Sequence, residues 1–357
     1  MPSRAKNTKS HTPNKLSTKE IDELLVQADA AYRDGDCRNA AKLFLSAAEQ
    51  GDVDAQAILG LLYQNGDGVR RSPKEAVKWY RNAAERGHAG AQLNLGVYYA
   101  EGCAVKQDMK EAVRWWRQSA EQGNTDAQEN LAMYYSDVDN PEFDIKESAK
   151  WWRKAAELGA PNAQCYLGMF YENGFGVRKN AGTAVKWYRL SAEQEHAGAQ
   201  LNLGVCYENG IGVKADAKEA VKWYRKSAKH GEPGAQFNLA RCYDEGTGVR
   251  KNLREAAKWY RKAAEQGDAS AQTNLGVCYA RGEGVKKDIK EAVRWWLMAA
   301  EQEDNAETAF NLGLCLLKDE EIEQDMEEAV KWLRKAAKLG SESAKALLKK
   351  LESDKKE

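Results

Sequence analysis

Residues 53–88 read VDAQAILGLLYQNGDGVRRSPKEAVKWYRNAAERGH, and this stretch decides the fold. Its first half has helical spacing: Ala55, Leu59 and Tyr63 fall at i, i+4 and i+8, with Gln56 and Gly60 on the adjoining stripe. Gly66-Asp67-Gly68 then stops the helix, because glycine enters the left-handed conformation without a Cβ penalty. Ser72-Pro73-Lys74-Glu75 opens a second helix, with Ser72 as N-cap, Pro73 at the first helical position and Glu75 completing a capping box. On that helix Ala76, Trp79, Tyr80, Ala83 and Ala84 share one face, and Lys78, Arg81 and Asn82 lie opposite. Gly87 closes the stretch. A single hairpin of this size cannot bury its own apolar stripe.

Outward from this unit the pattern repeats. Trp79, Trp115, Trp151, Trp187, Trp223, Trp259 and Trp295 are each 36 residues apart, and Trp332 follows after 37. Gln56, Gln92, Gln128, Gln164, Gln200, Gln236 and Gln272 keep the same step. The cap returns as Asp108 with Glu111, Asp144 with Glu147, Asp216 with Glu219, Asn252 with Glu255, Asp288 with Glu291 and Asp325 with Glu328. Only Asn180 with Thr183 lacks the acid. A fixed period of helix hairpins predicts an all-α fold, a right-handed α-α superhelix (solenoid) in which each unit shelters its neighbour's apolar face. Small residues such as Gly60 and Ala84 let helices approach, and the Trp and Tyr side chains fill the wedge between layers.

The pattern A-x-x-x-L-G-x-x-Y-x-x-G-x-G-V, followed by a capped A-V-x-W-Y-x-x-A-A-x-x-G, resembles the Sel1-like repeat, a relative of the tetratricopeptide repeat. Ala199, Leu203, Gly204, Tyr207, Gly210, Gly212, Val213, Ala220, Trp223, Tyr224 and Gly231 carry the likeness position by position. It spans about eight units over residues 53–340, with 19–52 as a degenerate opening repeat or cap, 341–357 as a closing helix and tail, and 1–18 as a flexible basic tail. Asp137-Val138-Asp139-Asn140-Pro141 and Lys318-Asp319-Glu320-Glu321 replace the glycine turn in units three and eight, and Ala104 and Glu195 stand where glycine is expected. The resemblance implies adaptor work, holding partner proteins in signalling, quality control or host contact; fold alone does not fix function.

Composition narrows the classes. Lys plus Arg number 54 and Asp plus Glu 54, so the formal net charge is zero. A general nucleic-acid binder or an electrostatic membrane anchor needs an excess of positive charge. No run of apolar residues is long enough to cross a bilayer, and the amino terminus lacks the apolar core of a signal peptide, so a cytoplasmic location is expected.

Little points to catalysis or to a cofactor. Cys206, Cys242, Cys278 and Cys315 occupy one equivalent position on successive first helices, read as small buried apolar residues and thiols. Cys37, Cys103 and Cys165 are scattered. His11, His88, His196 and His230 show no ligand spacing, so no metal is expected. The recurring G-x-G follows a helix rather than a strand, which reads as helix termination and not as a phosphate loop. Some relatives are linked to penicillin-binding chemistry, but Ser-x-x-Lys occurs only as Ser3 with Lys6 and Ser353 with Lys356, both in polar tails. A non-catalytic chain without cofactor is expected.

A partner surface is expected on the first helices, which line the concave face of such solenoids. Turning Ala, Leu and Tyr to the core leaves an outward stripe of Leu93, Asn94 and Val97; Glu129, Asn130 and Met133; Leu201, Asn202 and Val205; Phe237, Asn238 and Arg241; Thr273, Asn274 and Val277; Phe310, Asn311 and Leu314. An apolar patch over several layers marks an interaction site, and an Asn amide both donates to and accepts from a peptide backbone. The competing reading is that Leu and Val pack against the adjacent first helix and that Asn is simply copied with the unit. On the second helices Lys78, Arg81, Arg117, Lys150, Lys222, Arg225, Lys258 and Arg261 form a basic row, read as a solvated face; an RNA-binding solenoid would use this row.

Overall fold

The structure is a computed structural model that describes residues 16–302, 304–318 and 325–354. Among these, helices follow one another without a strand. The chain divides at Ala160/Pro161 into two compact units. The first holds α1 (Thr18–Arg33), α2 (Cys37–Glu49), α3 (Val53–Asn65), α4 (Pro73–Ala84), α5 (Ala89–Glu101), α6 (Met109–Glu121), α7 (Thr125–Ser136) and α8 (Ile145–Glu157). The second holds α9 (Pro161–Asn173), α10 (Ala181–Glu193), α11 (Ala197–Asn209), α12 (Ala217–Lys229), α13 (Pro233–Glu245), α14 (Leu253–Glu265), α15 (Ala269–Arg281), α16 (Ile289–Gln302), α17 (Ala306–Lys318), α18 (Met326–Lys338) and α19 (Glu342–Asp354). Within each unit every helix packs on its chain neighbours, the arrangement of a helical solenoid. The tail read over residues 1–18 lies outside the described residues up to position 15.

The core is centred one residue away from the tryptophan ruler. The residue after each Trp is the deepest aromatic: Tyr80, Trp152, Tyr188, Tyr224 and Tyr260 are all essentially inaccessible. Its ring lies on the glycine of the first helix, so that a Cβ on Gly60 would sit 2.6 Å from the Tyr80 ring and one on Gly204 2.6 Å from Tyr224. The ruler tryptophans sit further out. Trp79, Trp115, Trp151, Trp259 and Trp295 are buried, whereas Trp187, Trp223 and Trp332 are half-buried. Their faces are sheathed by cations from the same helix, as with Lys154 at 4.0 Å from the Trp151 ring centre and Lys226 at 4.3 Å from Trp223.

The glutamine ruler has a polar function inside this core. Each first-helix Gln donates its Nε2 to a carbonyl at the end of the preceding second helix: Gln56 to Ala48 (3.1 Å), Gln92 to Ala84 (3.0 Å), Gln128 to Ala120 (2.9 Å), Gln200 to Ala192 (3.1 Å) and Gln272 to Ala264 (3.1 Å). One of the last carbonyls of a helix, which has no intrahelical partner, is thereby satisfied. A second Gln then closes the relay by donating to the first: Gln122 to Gln92 Oε1 (2.7 Å), Gln194 to Gln164 (2.8 Å), Gln266 to Gln236 (2.9 Å) and Gln302 to Gln272 (2.9 Å). Where that position is Arg86, Leu158 or His230, the Oε1 atoms of Gln56, Gln128 and Gln200 are buried without a partner.

The N-cap expectation holds in half. Ser72, Asp108, Asp144, Asn180, Asp216, Asn252 and Asp325 all accept from a backbone amide of the following helix. The reciprocal half of the capping box is described at Ser17 with Glu20, not at these caps. Their glutamates turn outward to a cation one helical turn on, as in Glu75–Lys78, Glu111–Arg114 and Glu147–Lys150. In the loops the first glycine is a left-handed C-cap (Gly66, φ 89°) and the second meets the preceding hairpin: a Cβ on Gly68 would lie 1.9 Å from the Cys37 carbonyl oxygen. Ala104 (φ 58°) and Glu195 (φ 65°) keep the glycine conformation despite their side chains, so these are strained copies and not kinks. In unit three side-chain bonds replace glycine: Asp137 Oδ1 accepts from the Asp139 amide (3.0 Å), and Asn140 Nδ2 donates to the Tyr134 carbonyl (2.8 Å). Most of the corresponding loop of unit eight, residues 319–324, lies outside the described residues.

Candidate functional site

The stripe expected to bind partners is half-buried along most of its length. In the first unit Leu93, Asn94, Val97, Glu129 and Asn130 are half-buried and Met133 is 48% exposed. In the second unit Leu201, Asn202, Val205, Phe237, Asn238, Arg241, Asn274, Val277, Phe310, Asn311 and Leu314 are half-buried, and Thr273 is buried with its hydroxyl 2.7 Å from that of Thr308 on the next first helix. Part of the stripe therefore packs sideways between first helices. Leu201 lies over the start of α13, its Cδ2 3.2 Å from where a Gly234 Cβ would stand. Asn202 Nδ2 reaches Cys165 Sγ at 3.8 Å, and the Phe237 ring tilts against Tyr260 with centres 5.9 Å apart.

The amides divide into two groups. Asn94 lies near the Tyr80 hydroxyl, which itself donates to Gln64 Oε1 (2.8 Å). Asn130, Asn238 and Asn274 have no hydrogen-bond partner among the described residues, and the Nδ2 of Asn311 is buried without one. Val277, Asn311 and Leu314 line, with Trp296, a cavity of about 310 Å³ between α15, α16 and α17.

Arginines of both helix layers are engaged within the chain. Arg241 is paired: its Nη2 bonds Glu208 of the neighbouring first helix, and Glu208 also accepts from the Tyr224 hydroxyl (2.5 Å). Burial, with Glu208 adding to it, drives the Tyr224 phenol well above its ordinary range. The arginines of the basic row are likewise engaged. Arg81, Arg117, Arg225 and Arg261 donate to the hydroxyls of Tyr99 (3.0 Å), Tyr135 (2.7 Å), Tyr243 (3.1 Å) and Tyr279 (2.6 Å) on the following first helix. The row is a clamp between hairpins in addition to a solvated face.

Sequence reasoning missed three members of the stripe. Leu61 (43% exposed), Tyr166 and Met169 (each 37%) occupy the positions of Val97, Asn130 and Met133 in the adjacent repeats. The 36-residue register alone would have found them, since each differs from a chosen residue by one period.

The remaining reactive side chains are structural. All seven cysteines are thiols, and burial pushes those of Cys165, Cys206 and Cys278 up to about 12. His88 and His196 are N-caps, their Nδ1 atoms accepting from the Ala91 (3.0 Å) and Ala199 (3.1 Å) amides. Burial lowers the His196 imidazole below its ordinary value against a smaller upward pull from Glu232. Among the described residues no group of His, Cys, Asp and Glu has metal-binding geometry, and no helix is long and apolar enough to cross a membrane. Both Ser-x-x-Lys pairs fall wholly or partly outside the described residues.

The chain matches the Sel1 repeat model nine times, over residues 29–52, 53–88, 89–124, 125–159, 161–196, 197–232, 233–268, 269–304 and 306–341. The first match lies within the stretch read as a degenerate opening unit. No curated protein matches. Among solved structures, a protective antigen of uropathogenic Escherichia coli strains displaying an SLR fold is 36% identical with a TM-score of 0.81, covering 91% of this chain and 70% of that one. A Sel1 repeat protein from Oxalobacter formigenes is 33% identical with a TM-score of 0.66, covering 88% of this chain and 98% of that one. With nine matched repeats and two such relatives, the chain belongs to the Sel1 repeat family.

Proposed function

We propose that this chain is a non-catalytic scaffold that holds partner proteins or peptides along the outward face of its first helices, the expected concave face. Sel1 repeat proteins commonly act as protein-interaction scaffolds, which sets the class. The observation that carries the finer reading is the recurring asparagine. Asn130, Asn238 and Asn274 stand at equivalent positions of first helices, half-buried among apolar side chains and without a partner in the chain among the described residues. A peptide backbone laid across such an amide supplies both a donor and an acceptor. In the second unit Leu201, Val205 and Phe237, partly buried against the core, share helices with Asn202 and Asn238.

The test is the triple substitution Asn202, Asn238 and Asn274→Ala. Because only Asn202 has a contact, and a weak one, thermal stability should stay within about 1 kcal/mol of the wild type. Affinity purification with quantitative mass spectrometry, wild type against variant, should then show specific partners lost from the variant. An unstable variant assigns the amides to packing; a stable variant that keeps every partner rejects the proposed face.

A further inference from the structure

In three hairpins of the first unit the two helices of each hairpin differ in the sign of their charge. In the first unit, α3, α5 and α7 contain no Lys or Arg, and their acids are Asp54, Glu101, Asp126 and Glu129. The second helices of the same three hairpins, α4, α6 and α8, hold ten Lys and Arg against five Glu. Half of this pattern follows from helix stability, because Asp54 and Asp126 stand in first turns where the helix dipole favours an acid. Glu101 does not fit that account: it stands exposed at the carboxy-terminal end of α5, where the dipole favours a cation. Asp137, just beyond α7, is also exposed, with one oxygen holding the Asp139 amide.

Between these two margins, the second of which also carries Arg70, Arg71 and Lys106 in the loops beyond α3 and α5, runs the apolar row Leu61, Val97 and Met133, one residue per first helix. Neighbouring packed helices lie about 8–10 Å apart, close to the rise of two turns of a helix or of three residues of an extended chain. We infer that the first-helix face of the first unit takes a basic amphipathic peptide, its apolar residues on Leu61, Val97 and Met133 and its Lys or Arg on the acidic margins. The inference rests on the first-helix reading above and adds the sign of the partner. Complementary margins of this kind set specificity and association rate, and they are screened by salt.

The experiment uses the full chain and two synthetic peptides with the same leucine spacing, one carrying Lys and the other Glu at its polar positions, read by fluorescence anisotropy. At about 0.05 M salt the Lys peptide should bind at least about tenfold more tightly than the Glu peptide, with the gap narrowing at about 0.5 M. The double variant Glu101→Lys, Asp126→Lys should lose at least about tenfold of the Lys-peptide affinity with its melting curve little changed, because the dipole loss at the start of α7 is offset by the dipole gain at the end of α5. Equal affinity for the two peptides overturns the charge inference and leaves the first-helix scaffold standing. Binding of neither peptide overturns both. Undiminished Lys-peptide binding by the double variant places the site elsewhere and rejects this face. Sedimentation showing salt-sensitive self-association that excludes the peptide assigns the face to a second copy and likewise rejects the inference.

Discussion

Replacing Leu158 by Gln should stabilise the protein, because it completes an amide relay that is broken at Gln128. In four repeats a Gln at this position donates to the first-helix Gln at 2.7–2.9 Å; with Leu158 present, Gln128 Oε1 is buried and has no partner. A hydrogen bond to such an acceptor contributes about 1 kcal/mol net. Leu158 is 59% exposed, so its outer methyl carbons contribute little, about 0.3 kcal/mol each from about 0.8 for a fully buried carbon. Leu and Gln have similar helix propensities. The expected gain is therefore about 0.4 kcal/mol, the hydrogen bond less the two methyl carbons. Urea unfolding followed by circular dichroism should show the midpoint raised by about 0.1 M at an ordinary slope of roughly 3 kcal/mol/M. The control is the same substitution with Gln128→Met, which keeps the shape and removes the acceptor. A gain of equal size in that background, or no gain in the native one, refutes the relay as the cause.

Three further outcomes follow from the same packing. Tyr224→Ala should cost about 3–5 kcal/mol and Trp223→Ala clearly less, because Tyr224 is fully enclosed and Trp223 half-buried; equal losses in thermal melts would contradict the assignment of the inner aromatic. Glu195→Gly should raise stability by about 1 kcal/mol by removing a left-handed strain, and a lowered melting temperature would show that the Glu195 side chain contributes more than its backbone costs. His196 accepts a cap bond only when neutral, and its lowered value means that the unfolded chain takes up the proton first. Its stabilising contribution is present above about pH 6.5 and lost as pH falls below it. His196→Asn keeps an acceptor, as Asn124 does on α7, so wild type minus variant stability should drop between about pH 8 and 5; a flat difference would count against the cap.

Much of the architecture was legible because it is written as period. Trp and Gln recurring in step define hairpins, and hairpins of fixed length define a stack. The centre of the core was less legible. The invariant Trp drew attention, yet the enclosed slot is the next residue, which varies among Tyr80, Trp152 and Leu333. What marks it is the glycine it rests on, a feature of shape across two helices that no single stripe reveals. The pairing of Arg81 was missed for a related reason. A cation on a polar face looks solvated until the hydroxyl or carboxylate of the neighbouring hairpin is in place. For the partner stripe, residue identity was readable but exposure was not, since sideways burial depends on how closely successive first helices approach.

In the first unit hairpins grip the one made before them through Gln56, Gln92 and Gln128. Gln56 ties itself to Ala48, and Gly68 fits against Cys37, both belonging to the hairpin made before. A chain emerging from the ribosome thus offers each such glutamine a carbonyl already in place, while ties in the other direction, as from Arg81 to Tyr99, close only when the next hairpin arrives. Shortening the array is accordingly not symmetrical. Removing hairpins from the carboxy-terminal end leaves each remaining glutamine its acceptor and frees an arginine and an apolar face, while removing them from the amino-terminal end strips the next glutamine of the carbonyl it holds.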